Sequence, residues 1–343
     1  MAVTIRDVAR RAGVSISTVS RVLNNTCTVS EDKKIRVEEA AEFLGYVPNP
    51  SARSLLKKST GGVGILLPYV TGEFFSEFLT GADRLAKDEE YFLLISASHH
   101  RASEWRASVR SVFGRVDGLV VMDPRMSPSE LDLKTGVPTV FVNTPVENED
   151  LDGLDIINFD NRGGTLAAAR HLVKLGHRKF AYLRGPDDAF DAVERLNGFQ
   201  DAMREAGIAE YTVIEAGFEP EYGQEAGREL LRLKELPTAV LCANDYCAQG
   251  VMTVFHDAGL RIPEDVSVVG FDNVPSAEYA RPALTTLSVP PRKTGAQALE
   301  RLIARIRNPE LPATRKLILP VELVIRASTA PAPTHKIDRI AAE

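Results

Sequence analysis

The 343-residue chain is poor in three things, and each shortage excludes a class of protein. Its three cysteines, Cys27, Cys242 and Cys247, cannot pair evenly, and Cys242 and Cys247 lack the spacing common to zinc ligands. They are expected as reduced thiols in a cytoplasmic protein, without a disulfide framework. Nowhere do about eighteen apolar residues run together, so no membrane-spanning helix is expected. The polar, capped start of the chain also lacks the apolar stretch of a secretory signal. Catalytic motifs are missing as well: there is no GxSxG, no HExxH and no P-loop. Gly61-Gly62-Val63-Gly64 is glycine-rich, but it precedes a strand, whereas a dinucleotide fingerprint follows one. His99, His100, His171 and His177 have no ligand-spaced partners and read as surface or hydrogen-bonded histidines. No enzymatic activity, cofactor or metal is expected.

Positive charge is short overall but not everywhere. The formal net charge is −6, yet the first sixty residues carry ten Lys and Arg against six Asp and Glu. That makes the head +4 and leaves the rest at −10. A basic head on an acidic body suits a DNA-binding module joined to a domain that must not stick to DNA itself.

What is present begins with Thr4 to Asn24, TIRDVARRAGVSISTVSRVLN. Thr4 stands three residues before Asp7, a capping-box spacing. Ile5, Val8, Ala9 and Ala12 then fall on one helical face. Gly13 breaks that helix, since a turn at φ > 0 is cheap only for glycine. Ser15 caps a second helix with Val19, Val22 and Leu23 inward, and with Ile16, Ser17 and Arg21 outward beside Thr18 and Ser20. This is a helix-turn-helix, whose second helix enters the major groove. A third helix is expected from Ser30 to about Leu44, with Val37, Ala40, Ala41 and Leu44 closing a three-helix core. Lys33, Lys34 and Arg36 in its first turns suit phosphate contact and solvation equally well.

Thr4–Asn24, with Val29-Ser30-Glu31 and then Tyr46-Val47-Pro48-Asn49-Pro50-Ser51-Ala52-Arg53-Ser54-Leu55, closely resembles the head and hinge of the lactose-repressor (LacI/GalR) family of bacterial transcription regulators. The match runs without gaps through the first sixty residues. On its own the 49–56 segment is too short and serine- and proline-rich to hold a helix. The resemblance implies that it becomes helical when two copies pair on DNA, with Leu55 as a minor-groove wedge that bends the duplex. Base preference is assigned to Ile16, Ser17 and Arg21. Phosphate and backbone contacts are assigned to Thr4, Ser15, Thr18, Asn24 and Lys34, with Ala52 and Leu55 in the hinge.

From Gly62 onward, apolar strands alternate with amphipathic helices, the pattern of parallel sheets covered on both faces. Strands are expected at Val63–Pro68, Phe92–Ala97, Val116–Met122, Thr139–Asn143, Ile156–Phe159, Phe180–Arg184, Val213–Ala216, Ala239–Ala243, Ser267–Phe271 and Leu317–Ile325. Helices are expected at Phe74–Lys87, Gly164–Leu175, Arg195–Ala206, Tyr222–Leu233, Gln249–Ala258 and Thr294–Ile306. A break near Asp160 suggests two similar α/β lobes, and the resemblance implies a periplasmic-binding-protein-like regulatory domain. The expected organisation is an all-α helix-turn-helix head (1–47), a hinge helix and linker (48–61), a two-lobed effector-binding and dimerisation domain (62–329) and a disordered tail (330–343). The tail has no leucine heptads, so a coiled coil joining two dimers is not expected.

Ligands of such sheets bind at the carboxyl ends of strands, in the cleft between lobes. Strand ends place Phe74, Phe75, Asp160, Arg195, Phe218, Asn244 and Asp272 there as effector-binding candidates. Carboxylates, an amide and a guanidinium beside aromatic faces suit a polyol. The resemblance matches Arg195, Asn244 and Asp272 to polar effector contacts and Phe75 and Phe218 to flanking aromatics. Ala189 stands where purine-binding relatives carry an arginine, which weighs against a purine. Each residue also has a structural reading. Aromatics fill cores, strand-end Asp residues cap helices (the role expected of Asp245), and Arg195 could form a salt bridge.

The chain therefore reads as a cytoplasmic, homodimeric, sequence-specific DNA-binding regulator. Its expected mode is repression from a palindromic operator under allosteric control by a sugar-like small molecule. The alternatives are a corepressor-dependent repressor or activator responding to a nucleoside or other metabolite, and a sugar-binding module without regulatory role.

Overall fold

The computed structural model describes residues 3–24, 29–47, 59–98, 102–128, 137–145, 153–313 and 315–334. The described residues fall into two compact units, those within 1–62 and 114–117, and those within 63–113 and 118–334.

The first unit holds helices α1 (Ile5–Ala12), α2 (Ile16–Asn24) and α3 (Glu31–Leu44). The Thr4 backbone N–H and hydroxyl both donate to Asp7 Oδ2, at 3.0 and 2.6 Å, which fixes the start of α1. Gly13 (φ 64°) ends that helix in the left-handed conformation. Val8, Ala9, Ala12, Val19, Val37, Ala40 and Ala41 form the buried core, with Ile5, Val22, Leu23 and Leu44 packed around it. The expected apolar faces of all three helices meet there. In the same unit Asp117 accepts from the Ser59 hydroxyl (2.6 Å) and from the backbone N–H groups of Thr60 (2.6 Å) and Gly61 (2.9 Å). These bonds hold its carboxyl below the usual range against the opposing cost of burial.

The second unit contains two six-stranded sheets. In chain order its elements are β1 (Gly62–Leu67), α4 (Glu73–Asp88), β2 (Phe92–Ala97), α5 (Ala102–Val112), β3 (Gly118–Met122), β4 (Thr139–Val142) and β5 (Asp155–Phe159). Then come α6 (Asn161–Lys174), β6 (Phe180–Arg184), α7 (Phe190–Glu205), β7 (Thr212–Glu215), α8 (Pro220–Leu231), β8 (Ala239–Cys242), α9 (Asp245–Asp257) and β9 (Ser267–Asp272). The last are α10 (Pro275–Tyr279), β10 (Thr285–Ser288), α11 (Pro291–Arg307), β11 (Arg315–Leu319) and β12 (Glu322–Val324). One sheet runs β11-β5-β4-β3-β1-β2 and the other β12-β10-β9-β8-β6-β7. The pairings of β3 with β1 and β4, of β5 with β4 and β11, and of β8 with β6 and β9 are parallel, while β10–β12 is antiparallel. The chain passes between sheets after β5, after β10 and after β11, so the break expected near Asp160 is the first of three crossovers.

Four expectations need correction. The single strand expected at Leu317–Ile325 is two strands, one in each sheet, joined by Pro320 and Val321. Proline has no N–H to donate to a ladder, and the chain changes sheets there. Helix α7 begins at Phe190, five residues before the expected Arg195. Its cap position is Ala189, which has no side chain to announce a helix start. Strand β10 was not among the expected strands. The tail boundary at 330 also falls too early. The Ala330 carbonyl lies 3.0 Å from His177 Nε2, its N–H donates to Ser267 Oγ (3.1 Å), and Ala332 N–H donates to the Leu175 carbonyl (2.9 Å). Residues 335–343 lie outside the described residues.

Candidate functional site

In the head, α2 is positioned by its cap. Ser15 Oγ accepts from the Thr18 backbone N–H (3.2 Å) and lies 2.8 Å from both Ser17 Oγ and Thr18 Oγ1. Val19 is buried, while Ile16 (45% exposed), Ser17 and Arg21 are turned to solvent. An apolar tip, a hydroxyl and a guanidinium on one exposed face are suited to a thymine methyl and to base-edge donors and acceptors. Asn24 is half-buried, with its Nδ2 donating to Ser20 Oγ (3.2 Å). Lys34 is half-buried and lies 3.9 Å from Glu31, so part of its charge is already balanced. Ala52 and Leu55 lie outside the described residues.

In the second unit, a cavity of about 470 Å³ opens between the two sheets. Its lining comes from residues that follow the carboxyl ends of β1, β3, β4, β6, β7, β8 and β9. This is where an open parallel sheet leaves backbone groups and loops free to meet a ligand. Of the seven candidates, Phe74, Phe75, Arg195, Phe218, Asn244 and Asp272 line the cavity together. Asp160 does not. It is exposed and accepts from the Gly163 N–H (2.9 Å), which makes it the cap of α6.

The helix cap expected at Asp245 is instead Asn244, which also lines the cavity. Asn244 is the cap of α9: its Oδ1 accepts from the Cys247 N–H (2.9 Å) and its Nδ2 donates to the Phe218 carbonyl (2.8 Å). Asp245 is buried at the cavity wall, accepting from the Val274 N–H (2.9 Å) and the Thr286 hydroxyl (2.5 Å). Burial and the neighbouring Asp272 push its carboxyl well above the ordinary range.

Arg195 does not open α7 but sits in its second turn, and its expected role as a fork for ligand hydroxyls is largely taken up by the protein. Nε donates to Asn161 Oδ1 (2.9 Å) and Nη1 to the Ala243 carbonyl (2.5 Å). Nη2 lies 3.4 Å from Asp272 Oδ1 and 3.7 Å from Asp191 Oδ2. The guanidinium carbon lies 3.6 Å from the Phe271 ring centroid, a cation–π contact. Most of its five N–H donors thus have protein partners. Arg195 acts as a hub that aims two carboxylates, Asp191 and Asp272, into the cavity wall.

Asp191, Asn143 and Tyr246 are among the cavity residues that went unremarked in the sequence. Asp191 precedes Arg195 by one helical turn, a spacing that could have flagged it. Asn143 Nδ2 donates to Asp191 Oδ2 (3.1 Å), while its Oδ1 is buried without a hydrogen-bond partner. Tyr246 accepts from the Glu73 N–H (2.7 Å), linking α9 to the start of α4 across the cleft. Backbone strain collects here as well: Asn143 (φ 48°) and Asp272 (φ 106°) hold positive φ without being glycine, a conformation retained where surroundings enforce it. Burial pushes the Asp272 carboxyl up to about 7, even with Arg195 alongside.

The lining thus has four acidic side chains (Asp191, Glu219, Asp245 and Asp272), of which burial favours the neutral form of Asp245 and leaves Asp272 partly ionised, beside one guanidinium and the rings of Phe74, Phe75 and Phe218. Acceptors outnumber donors. The cavity suits an uncharged ligand that presents several hydrogen-bond donors around an apolar face. Ala189 is buried and is not part of this lining. Among the described residues no cluster of His, Cys, Asp or Glu is arranged to hold a metal, and no helix is long and apolar enough to cross a membrane.

Comparison with known proteins covers both units. Residues 4–49 match the model described as bacterial regulatory proteins, lacI family, and residues 169–329 match a periplasmic binding protein-like domain. The chain is 38% identical to the HTH-type transcriptional repressor PurR of Vibrio atlanticus, over 89% of this chain and 92% of that one. It is 35% identical to the HTH-type transcriptional regulator GalR of Escherichia coli, over 95% and 96%. Among solved structures, a lac repressor dimer bound to operator and the anti-inducer ONPF superposes with a TM-score of 0.85 at 29% identity, over 96% of this chain and 100% of that one.

Proposed function

The chain belongs to the LacI family of bacterial regulatory proteins, as a DNA-binding transcriptional regulator, and from that premise we propose how its two sites divide the work. Ile16, Ser17 and Arg21 read base edges in the major groove, with Arg21 directed at guanine O6 and N7. Thr4, Ser15, Thr18, Asn24 and Lys34 hold phosphates and set the register. Two copies pair on a palindromic operator in the cytoplasm, because a two-fold protein asks for a two-fold site. Ala52 and Leu55 enter the minor groove between them.

The cavity takes an uncharged, hydroxyl-rich effector of the sugar type. The observation that carries this reading is the surplus of acceptors: Asp191, Asp272 and the unpartnered Asn143 Oδ1 beside aromatic faces, with the lone Arg195 already engaged. A phosphorylated ligand would meet the acids Asp191 and Glu219 there, and the cation of the lining, Arg195, is already engaged. Control follows from linkage. An effector that favours one angle between the lobes shifts the pairing of the hinges, and a coupling of about 1–3 kcal/mol changes operator occupancy roughly 5–150-fold.

The test is a gel-shift titration on the DNA upstream of the protein's own gene, with and without a panel of sugars and nucleosides. A saturable, salt-sensitive complex released by a sugar supports the reading. Tightening by a ligand makes it a corepressor, a response to a nucleoside alone moves the effector class, and no specific complex anywhere sinks the assignment of the head.

A further inference from the structure

We propose that Asp117 is the positioning residue through which the regulatory fold sets the hinge on operator DNA. The inference rests on the reading of residues 49–56 as an operator-bound hinge, and deepens it by naming what holds the chain that leaves it. That chain enters the regulatory fold through Ser59, Thr60 and Gly61, and all three donate to one carboxylate. Asp117 Oδ2 accepts from the Ser59 hydroxyl (2.6 Å) and the Gly61 N–H (2.9 Å). Its Oδ1 accepts from the N–H (2.6 Å) and the hydroxyl (2.9 Å) of Thr60. The Asp117 N–H donates in turn to the Gly62 carbonyl (2.7 Å), and the Gly62 N–H donates to Thr60 Oγ1 (3.1 Å). A carboxylate has about four acceptor sites, so the capacity of Asp117 is spent on the linker. Bonds to an ionised group are also the stronger kind.

What lies beyond Asp117 gives this clamp its use. Asp117 immediately precedes β3 and Gly62 opens β1, and the two strands are parallel neighbours, with Val63 opposite Gly118 and Leu66 opposite Val121. Both are buried along their whole length. Gly118 is seated closely on α11, where a Cβ would stand 2.7 Å from a methyl of Leu302. At their carboxyl ends the strands deliver Pro68, Tyr69, Met122 and Pro124 to the lining of the inner cavity. A strand rises about 3.3 Å per residue, so the pair spans on the order of 15 Å from the cavity lining to the clamp. Two packed strands with the effector at one end and the linker at the other form a contiguous route for a displacement of the lining. The carboxylate turns that displacement into a definite direction for the departing chain. Without it the strands would still fold, but the linker would leave at no fixed angle.

The experiment uses the full-length protein, a duplex of the DNA upstream of its own gene, and a scrambled duplex of equal length. Asp117→Asn keeps the volume but turns one acceptor toward donors. It should weaken binding to the upstream duplex roughly tenfold or more and leave the scrambled duplex unchanged. Ser59→Ala should act in the same direction, and the double variant should lose less than the two single losses combined. Trp105, the sole tryptophan, is buried in the regulatory unit, so the urea midpoint of its fluorescence reports that fold and should stay in place. By reciprocity, the upstream duplex should slow amide exchange in residues 66–72 and 121–126 of the wild type, and should not do so in Asp117→Asn. Equal losses on both duplexes, or a fallen Trp105 midpoint, would reduce Asp117 to a structural turn and overturn the proposal. So would exchange in those two segments that the upstream duplex leaves unmoved in the wild type. Undiminished binding by Asp117→Asn beside a selective loss in Leu55→Ala would overturn the clamp and leave the hinge reading standing. A wild type with no preference for the upstream duplex would overturn both.

Discussion

At the scale of single residues, the cleft is governed by how charge is held in a poorly solvated place. Arg195 is held by Asn161 and the Ala243 carbonyl, so it positions Asp272 and Asp191 more than it probes a ligand. Asp272, pushed up to about 7 by burial, is only partly ionised near neutral pH. A carboxyl raised in this way stabilises the free fold fully below the ordinary carboxyl range and loses that contribution as pH rises through about 7. Hydroxyls donating to it favour the ionised form. Effector affinity should therefore rise about tenfold between pH 6 and pH 8 and then level off. Calorimetry across that range checks this. Asp272→Asn should flatten the profile, and a wild-type affinity independent of pH would remove Asp272 from the ligand's contacts.

At the scale of elements, the lobes are built from helix pairs in close backbone contact. Helices α4 and α11 meet through Gly81 and Gly295. A Cβ on Gly81 would fall 1.8 Å from the Arg292 carbonyl oxygen, and one on Gly295 would fall 2.1 Å from that of Phe78. Neither backbone can yield without moving a whole helix. Gly81→Ala should thus cost about 3 kcal/mol, seen as a lower urea midpoint; an unchanged midpoint would mean that the helices shift freely. The hinge segment lies outside the described residues, and from its 49–56 sequence it is proposed to become helical only when two copies pair on DNA. Leu55→Ala should weaken binding to the specific operator by tenfold or more while leaving nonspecific DNA affinity nearly unchanged. Parallel gel shifts on operator and scrambled duplex measure both, and equal losses would show that Leu55 is no wedge.

At the scale of the whole regulatory unit, the two lobes share a buried apolar cluster and are also joined by polar links. Ser276 donates to Glu73 through its hydroxyl (2.6 Å) and backbone N–H (3.2 Å), and Asn143 meets Asp191 (3.1 Å). The Phe190 N–H donates to the Pro124 carbonyl (2.8 Å). The C-terminal segment is tied down by His177, whose neutral ring accepts from Thr238 Oγ1 through Nδ1 and donates to Ala330 through Nε2, each at 3.0 Å. Burial holds this histidine below its ordinary pKa. Its contribution to stability is therefore present above the unfolded histidine value and lost as pH falls through the folded one. Amide exchange in residues 328–334 should accelerate on going from pH 7.5 to pH 5.5, after correction for intrinsic rates, and His177→Gln should remove most of that acceleration. Exchange that stays slow in the acid would show that other contacts hold the segment.

The sequence by itself determined whatever depends on neighbours along the chain. The three-helix head was legible from Thr4, Gly13, Ser15 and the spacing of Val8, Ala12, Val19 and Val37, because helix period and caps are local. Two α/β lobes were legible from strand–helix alternation, and six of the seven cleft candidates from their places at strand ends. Only the tertiary structure decided which charged group does what. Asp160 caps a helix away from the cavity, and Asn244, not Asp245, caps the helix beside it, since capping depends on the cap's own backbone angles and on where the next helix turns. Asp191 and Asn143 lie 48 residues apart in sequence and meet only because two lobes close on each other. The split of 315–324 into strands of different sheets was likewise invisible, because an apolar run carries no record of which partner its backbone will find.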